Sequence, residues 1–208
     1  ISSKDGLAKT LKAMGYTVGR LYQSALFPEN DPDNKTASLN VPEVARKPIK
    51  PKTEVRLEKI DSYQLPKSST IESIDTLGAV QIPRKSWSYL LAKYLENPFY
   101  RYTIRAVVIK EELHAVVVWR RVTAPFGEIL RIVDIVGAPE SLAFCGSVLR
   151  EELQYENACY IDLMAWGVSK EALVSGGFVH LDDHPELVLP NYFSPYEEKN
   201  IRIDLAVK

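Results

Sequence analysis

Three β-strand candidates follow one another in residues 103–137, and this cluster constrains the fold more than any other feature of the chain. Their sequences, in chain order, are TIRAVVIK (103–110), HAVVVWRRV (114–122) and EILRIVDIVG (128–137). Each candidate is rich in β-branched residues, and only short turns separate them, which is typical of strands that pair with their neighbours in sequence. The sequence therefore predicts an antiparallel meander of three strands.

Helical and strand patterns on both sides of the meander extend it to a mixed sheet. A helix is predicted before it at 84–99, and an amphipathic helix that opens with Pro139 is predicted after it at 139–157. Further strands are predicted at 159–166 (CYIDLMAW), 178–181 (FVHL) and 201–207 (IRIDLAV). Because a helix that joins neighbouring strands makes a parallel crossover, the expected fold class is α+β, a mixed α/β fold with a central mixed sheet flanked by helices.

Two distant stretches of the chain echo each other. The segments LAKTLKAMGYTVG (7–19) and SKEALVSGGFVH (169–180) each read as a short helix with a leucine, then glycine, then an aromatic residue that opens a strand. Such an echo indicates a repeated unit. We therefore expect residues 1–27 to be the C-terminal tail of a preceding repeat, either packed as an added strand or left over from a longer chain. Residues 28–59 hold five prolines and no aromatic residue, which predicts an extended linker or strap, and residues 60–208 form the main domain.

The composition of the chain excludes several classes of function. Apolar residues make up 46% and charged residues 25%, and the formal net charge is −1, as in ordinary soluble globular proteins. No basic field indicates nucleic acid or an anionic membrane surface, and no apolar run approaches the roughly 20 residues of a membrane span. Cys145 and Cys159 are too few for a disulfide framework, so we expect two small buried hydrophobes and a cytoplasmic protein. The chain is also compatible with a homo-oligomer.

The order of elements, which ends in a short helix and the GGFV run at 176–179, resembles the GNAT (Gcn5-related N-acetyltransferase) superfamily. The Gly-Tyr pair at 15–16 resembles the same signature, as in a tandem GNAT-like protein. The resemblance implies a GNAT-like acyl-CoA N-acyltransferase fold with two central strands that splay apart. It implies acyl transfer from acetyl-CoA or another acyl-CoA to an amine. The runs LENPFYRY (95–102) and RIVDIVG (131–137) are similar to acyltransferase-like proteins encoded with bacterial surface-polysaccharide genes, which implies an amino sugar as the small-molecule acceptor.

The resemblance also implies where the acyl donor binds. In the family, a glycine-rich loop after the fourth strand holds the diphosphate of coenzyme A with backbone amides and a helix N-terminus. The matching positions in this chain are Ile135, Val136, Gly137, Ala138 and Ser141. The run departs from the family pattern, because Pro139 has no amide hydrogen and Glu140 sets a negative charge beside the expected diphosphate.

A second departure concerns the general acid of the family, which is often a tyrosine five residues before the Gly-Phe phenylalanine. Leu173 stands at that position, and Leu11 stands at the equivalent position of the echo. Leucine cannot protonate a thiolate. Both departures favour an alternative, a catalytically inert GNAT-like domain with a structural or partner-binding role. A further alternative takes an aminoacyl-tRNA as the acyl donor, contacted by the basic run at 46–59.

Two aspartates and one tyrosine are the candidate catalytic residues. Asp134 and Asp162 each have apolar neighbours on a predicted central strand. Burial raises the pKa of a carboxyl group, which suits a base that deprotonates an ammonium substrate. The alternative for either residue is a structural carboxylate bonded to a backbone amide or to an arginine such as Arg131. Tyr192, in the loop before the last strand, is the candidate proton donor to the leaving thiolate.

The segment HLDDH, residues 180–184, places His180, Asp182 and His184 on one side if it is extended. Nitrogen and oxygen donors of this kind bind zinc and similar ions. Asp183 and Pro185 instead indicate a turn, and the sequence places no further ligand nearby. No metal is therefore expected.

Overall fold

A computed structural model describes residues 3–51, 53–61, 64–81, 83–190, 197 and 199–207. The helices are α1 (Ser3–Ala13), α2 (Ile71–Ala79), α3 (Trp87–Leu90), α4 (Gly146–Tyr155) and α5 (Lys170–Ser175), and a π-helical turn at Leu91–Leu95 continues α3. The strands are β1 (Thr17–Leu26), β2 (Val55–Ile60), β3 (Tyr102–Ile109), β4 (Glu112–Ala124), β5 (Gly127–Gly137), β6 (Ala158–Ala165), β7 (Val179–His180) and β8 (Ile203–Val207).

The strands form one mixed sheet in the order β2-β3-β4-β5-β6-β1-β7, and β8 pairs beside β1. Strands β5 and β6 are parallel, and the other neighbouring pairs are antiparallel. The predicted meander is confirmed as β3, β4 and β5, and α4 is the crossover that makes β6 parallel to β5. The predicted fold class, a mixed sheet flanked by helices, is confirmed.

Each face of the sheet carries its own apolar core. Along β4, Val116 and Val118 pack with α2 and α3, whereas Val117 and Trp119 pack on the opposite face with α4 and α5. This alternation follows from the two-residue period of a strand, and burial of side chains of this size stabilises the fold by about 1.5–3 kcal/mol each. None of the described helices has the length and apolar character that a membrane crossing needs.

The helix predicted at 139–157 is interrupted. Residues Pro139–Phe144 form a 3-10 turn, and the α-helix begins only at Gly146. Gly146 touches the glycine that ends α5, because a Cβ atom at Gly146 would lie 1.9 Å from the carbonyl oxygen of Gly176. The break lets the two segments pack backbone to backbone, a contact that helical periodicity cannot reveal.

The N-terminal strand lies inside the sheet. Residues Tyr22–Leu26 of β1 pair antiparallel with Ile161–Ala165 of β6, the opposite edge of β1 pairs with β7, and Thr17–Leu21 of β1 pair with β8. β1 is therefore arranged as a strand added to the main domain, which is one of the two possibilities that the sequence left open for residues 1–27. The origin of residues 1–27 in a preceding repeat stays a prediction.

The proline-rich segment 28–59 is anchored to α4 by one arginine and ends in β2, the edge strand beside β3. Arg150 is 5% exposed and donates to the carbonyl oxygens of Phe27 (2.9 Å), Ala45 (2.9 Å) and Lys47 (2.7 Å). It also forms an ion pair with Glu29 at 3.2 Å. These bonds hold the segment against α4 as a strap.

Candidate active site

The two parallel strands at the centre of the sheet part halfway along. Strand β5 pairs with β6 from Glu128 to Ile132, whose partner is Leu163, and the paired register ends there. At the same point the register with β4 shifts, because Val118 faces Asp134 while Trp119 faces Ile132. The extra residue, Val133, is a β-bulge, which bends a strand and terminates pairing. The predicted splaying of the central strands is therefore confirmed.

The parting strands leave an open groove of about 500 Å³. Its walls are mostly apolar and come from both central strands, from the turn after β6, and from β1 and β8. The lining residues include Gln81, Lys85, Ile132, Asp134, Leu163 and Trp166. Trp166 is 45% exposed and packs over Gly19 of β1, where a Cβ atom would lie 2.7 Å from the indole nitrogen.

Asp134 is the centre of a hydrogen-bond cluster on the groove wall. Its Oδ1 accepts from Lys85 Nζ at 2.5 Å and from the Ile135 amide at 2.9 Å. Its Oδ2 accepts from the hydroxyls of Tyr89 at 2.5 Å and Tyr94 at 2.6 Å. Lys93 in turn donates to the Tyr89 hydroxyl at 2.6 Å. A carboxylate has about four acceptor positions, so these four bonds fill its capacity.

The protonation of Asp134 differs from the prediction made from its apolar neighbours. Burial alone would raise the pKa of this carboxyl group, but the hydrogen bonds from Lys85, Tyr89 and Tyr94 outweigh burial and lower the pKa below its usual value. The predicted raised pKa is therefore wrong for Asp134. The carboxylate is ionised at neutral pH, and it is a weak base while Lys85 stays in place.

Asp162 is sealed inside the sheet. It is 0% exposed, its Oδ1 lies 3.4 Å from Nε of Arg131, and its Oδ2 accepts from Gln23 at 3.0 Å. Complete burial raises its pKa to about 6, which confirms the predicted direction. Its partners match the structural alternative, a carboxylate held by Arg131. Asp134 and Asp162 lie on adjacent strands, but only Asp134 reaches the groove.

The residues predicted to hold the acyl donor already have partners within the chain. The amide of Gly137 donates to Gln81 Oε1 at 3.3 Å, and the amide of Ala138 donates to the His114 carbonyl at 3.1 Å. The Ile135 amide is taken by Asp134, while the side chains of Val136 and Ser141 are buried.

Two side chains cover the free edge of β5, and sequence reasoning missed both. Gln81 Nε2 donates to the Ile135 carbonyl at 3.1 Å, and Lys85 Nζ donates to the same oxygen at 3.0 Å. Together with the bond from the Gly137 amide, the Gln81 side chain makes the two-point contact that a neighbouring strand would make. We call Gln81 and Lys85 the edge cap. The segment between α2 and α3 carries no pattern that indicates this role.

The remaining predicted site residues have other surroundings. Leu173, at the position of the family's general acid, is 4% exposed in the core beneath α5, and Tyr192 lies outside the described residues. Asp182 pairs with Arg20 at 2.9 Å. No group of three metal-ligating side chains occurs in the described part of the chain.

Both cysteines are buried, as predicted. Burial raises the pKa of the Cys145 thiol to about 12, and burial also raises the pKa of Cys159. Neither thiol is therefore a ready nucleophile at neutral pH.

Comparisons with known proteins agree with the fold and leave the activity open. No protein-family model matches the sequence, and no curated protein matches it significantly. A functionally unknown conserved protein from Staphylococcus epidermidis ATCC 12228 has a similar structure, with 14% sequence identity and a TM-score of 0.50 over 86% of this chain. The match spans 64% of that chain, less than two thirds of its length. At this identity the likeness shows the fold alone.

A second solved structure, a GCN5-related N-acetyltransferase from Anabaena variabilis ATCC 29413, matches with 11% identity and a TM-score of 0.44, over 84% of this chain and 46% of that chain. Independently of this match, the chain has the meander, the crossover helix and the parting parallel pair that the GNAT-like resemblance implies. The fold is therefore the predicted mixed sheet flanked by helices, with a parallel central pair that parts.

Proposed function

We propose that the groove between β5 and β6 binds an acyl thioester, and that the protein transfers the acyl group to an amine. One observation carries the proposal: the parallel strands part after Ile132 and Leu163 and leave an open, mostly apolar groove of about 500 Å³ with Asp134 on its wall. Apolar walls suit an acyl chain, and a single carboxylate beside them suits an incoming ammonium group.

The edge cap decides how the donor enters. A donor that lies along Ile135, Val136 and Gly137 needs the carbonyl and amide groups that Gln81 and Lys85 occupy. The donor therefore displaces the cap. Departure of Lys85 removes a hydrogen bond that keeps the pKa of Asp134 low, so the carboxylate becomes a stronger base when the donor is bound.

The reaction then needs three proton transfers. Asp134 takes a proton from the ammonium group, the free amine attacks the thioester carbon, and the carbon–sulfur bond breaks. The thiolate takes a proton, for which Tyr192 is the proposed donor, and the second proton that the nitrogen loses as the amide forms returns to Tyr192. Acetyl-CoA or another acyl-CoA is the proposed donor and an amino sugar of polysaccharide biosynthesis the proposed acceptor. A cytoplasmic setting fits the two free thiols.

Thiol release tests the proposal. The protein is incubated with acetyl-CoA and a panel of amino sugars, and free thiol is measured over time. We expect release with at least one amino sugar, a loss of about a hundredfold or more in D134N, and an unchanged rate in the control D183N. Asp183 is an exposed carboxylate that pairs with Lys170. The proposal is refuted if the protein, at millimolar acetyl-CoA, neither binds acetyl-CoA nor releases thiol from it.

A second candidate function is a catalytically inert domain that binds a partner. It is favoured by the filled state of the site, because all four acceptor positions of Asp134 and the free edge of β5 are already satisfied. An inert domain would release no thiol with any amine. Replacing Gln81 or Lys85 would change the stability of the protein, and acetyl-CoA would have no effect on either variant.

A further inference from the structure

A row of polar side chains crosses the sheet just before the strands part. Tyr102 of β3 pairs with Arg120 of β4, Arg120 pairs with Arg131 of β5, and Arg131 pairs with Asp162 of β6. Directly paired residues share one face of a sheet. The row lies on the face that α2 and α3 cover, because Tyr102 packs against the core cluster on that side.

Two arginines stand opposite each other in this row. Like charges at directly paired positions destabilise a sheet. Arg131 is committed to the Asp162 carboxylate at 3.4 Å and to the Pro190 carbonyl at 3.1 Å. The guanidinium of Arg120 forms no ion pair or hydrogen bond among the described residues. It lies over the ring of Tyr100, 5.0 Å from the ring centroid, and its charge also acts on the Asp162 carboxylate, which Arg131 and Gln23 already hold.

The surroundings of Arg120 resemble a site for a charged, ring-bearing ligand. Arg120 is half-buried, Tyr100 at its guanidinium is 54% exposed, and Phe99, the residue before Tyr100, is 84% exposed. A planar guanidinium recognises carboxylate and phosphate through paired hydrogen bonds, and exposed aromatic rings stack on sugar or base rings.

We propose that Arg120 binds an oxyanion, a phosphate or a carboxylate, carried by the acceptor molecule, whose ring packs on Tyr100. The assignment of this ligand as the acceptor rests on the proposed acyl transfer. Asp134 pairs with Val118, which lies two residues from Arg120 on β4, so a strand rise of ~3.3 Å per residue sets the two positions about 7 Å apart along the strands. A sugar with its charged substituent spans much of that distance and brings an amine towards the groove.

Binding of three matched probes tests the site without any acyl donor. Glucose 6-phosphate, glucuronate and glucose carry the same kind of ring with a phosphate, a carboxylate or no charge. Calorimetry measures each dissociation constant for the intact protein and three variants. We expect at least one anionic probe to bind at least about tenfold more tightly than glucose. R120Q should lose that preference, and Y100A should weaken binding of the anionic probe several-fold. The control R121Q should leave all three dissociation constants unchanged. Arg121 pairs with Glu156 at 2.7 Å and Glu128 at 3.6 Å.

The measured dissociation constants either support the proposal or overturn it. Preference for glucose 6-phosphate assigns a phosphate, and preference for glucuronate assigns a carboxylate. Equal binding of all three probes, or an unchanged preference in R120Q, overturns the proposal. The unfolding free energy of R120Q is a second readout: a ligand-binding arginine opposite Arg131 leaves it unchanged or raised, whereas a marked loss indicates a structural role. A separate titration with acetyl-CoA distinguishes failure of this site from failure of the groove.

Discussion

Replacement of Gln81 by alanine separates the two roles that the edge cap could have. The side chain makes bonds of 3.1 Å and 3.3 Å to β5 and a longer contact of 3.5 Å to the Gly137 carbonyl. Each good bond contributes about 0.5–1.5 kcal/mol net, so a donor that displaces Gln81 forfeits about 2 kcal/mol. In Q81A that penalty is absent, because water solvates the open edge. We expect Q81A to bind acetyl-CoA roughly thirtyfold more tightly than the unaltered protein.

Calorimetric titration of acetyl-CoA into both proteins measures this difference. Q81A should also unfold at a lower denaturant concentration, because the protein loses the same bonds. The matched control is Q154A, since Gln154 is an exposed residue of α4 away from the groove. An equal or weaker affinity in Q81A would refute the reasoning, because the cap would then not compete with the donor.

Three further predictions concern the framework of the site. R150M should lower the unfolding free energy by about 3–5 kcal/mol, measured by denaturant titration, because three carbonyl groups, two of them buried, lose their donor. Asp162 binds its proton more tightly in the folded protein, with a pKa of about 6 against the ordinary 3.8. Its contribution to stability is therefore fully present below about pH 4 and lost as pH rises through about 6, a fall of about 3 kcal/mol that D162N should abolish when unfolding is measured from pH 4 to 8. G78A should destabilise the protein by about 2 kcal/mol or more and pull Lys85 from Asp134, because the new Cβ would lie 1.5 Å from the Lys85 carbonyl oxygen.

Matched variants control these measurements. R121M removes an arginine that is 49% exposed and should cost less than about 1 kcal/mol. G6A adds a methyl group to α1 where nothing lies within 4 Å, and should be neutral or stabilising by about 0.5–1 kcal/mol. A G78A protein as stable as the unaltered one, or a D162N protein with the unaltered pH profile, would contradict the packing and burial assigned to these positions.

The sequence predicts the meander and the crossover because both depend on local signals. The continuous apolar run of β4 is one such signal. The short turn before it is another, and its residues Lys110 and Glu111 both adopt positive φ. The place of β1 depends on pairing with β6, far along the chain, and nothing in residues 17–26 specifies that partner. The break at Gly146 likewise depends on contact with Gly176.

For the candidate site too, local features could be predicted from the sequence and features that depend on distant segments could not. Apolar neighbours predict that Asp134 and Asp162 are buried, and both are. The direction of each pKa depends instead on partners from distant segments. Lys85, Tyr89 and Tyr94 surround Asp134 and lower its pKa, whereas Asp162 is so completely buried that Arg131 and Gln23 do not offset the desolvation.

The central claim is that the opening between β5 and β6 seats an acyl donor. Amide chemical-shift mapping by NMR during a titration with acetyl-CoA tests it most directly. We expect saturable shifts confined to Val133–Gly137 on β5, to the edge cap and to residues 163–168 at and after the end of β6, with Trp166 among the largest. Shifts confined to other parts of the protein, or none at millimolar acetyl-CoA, would contradict the account.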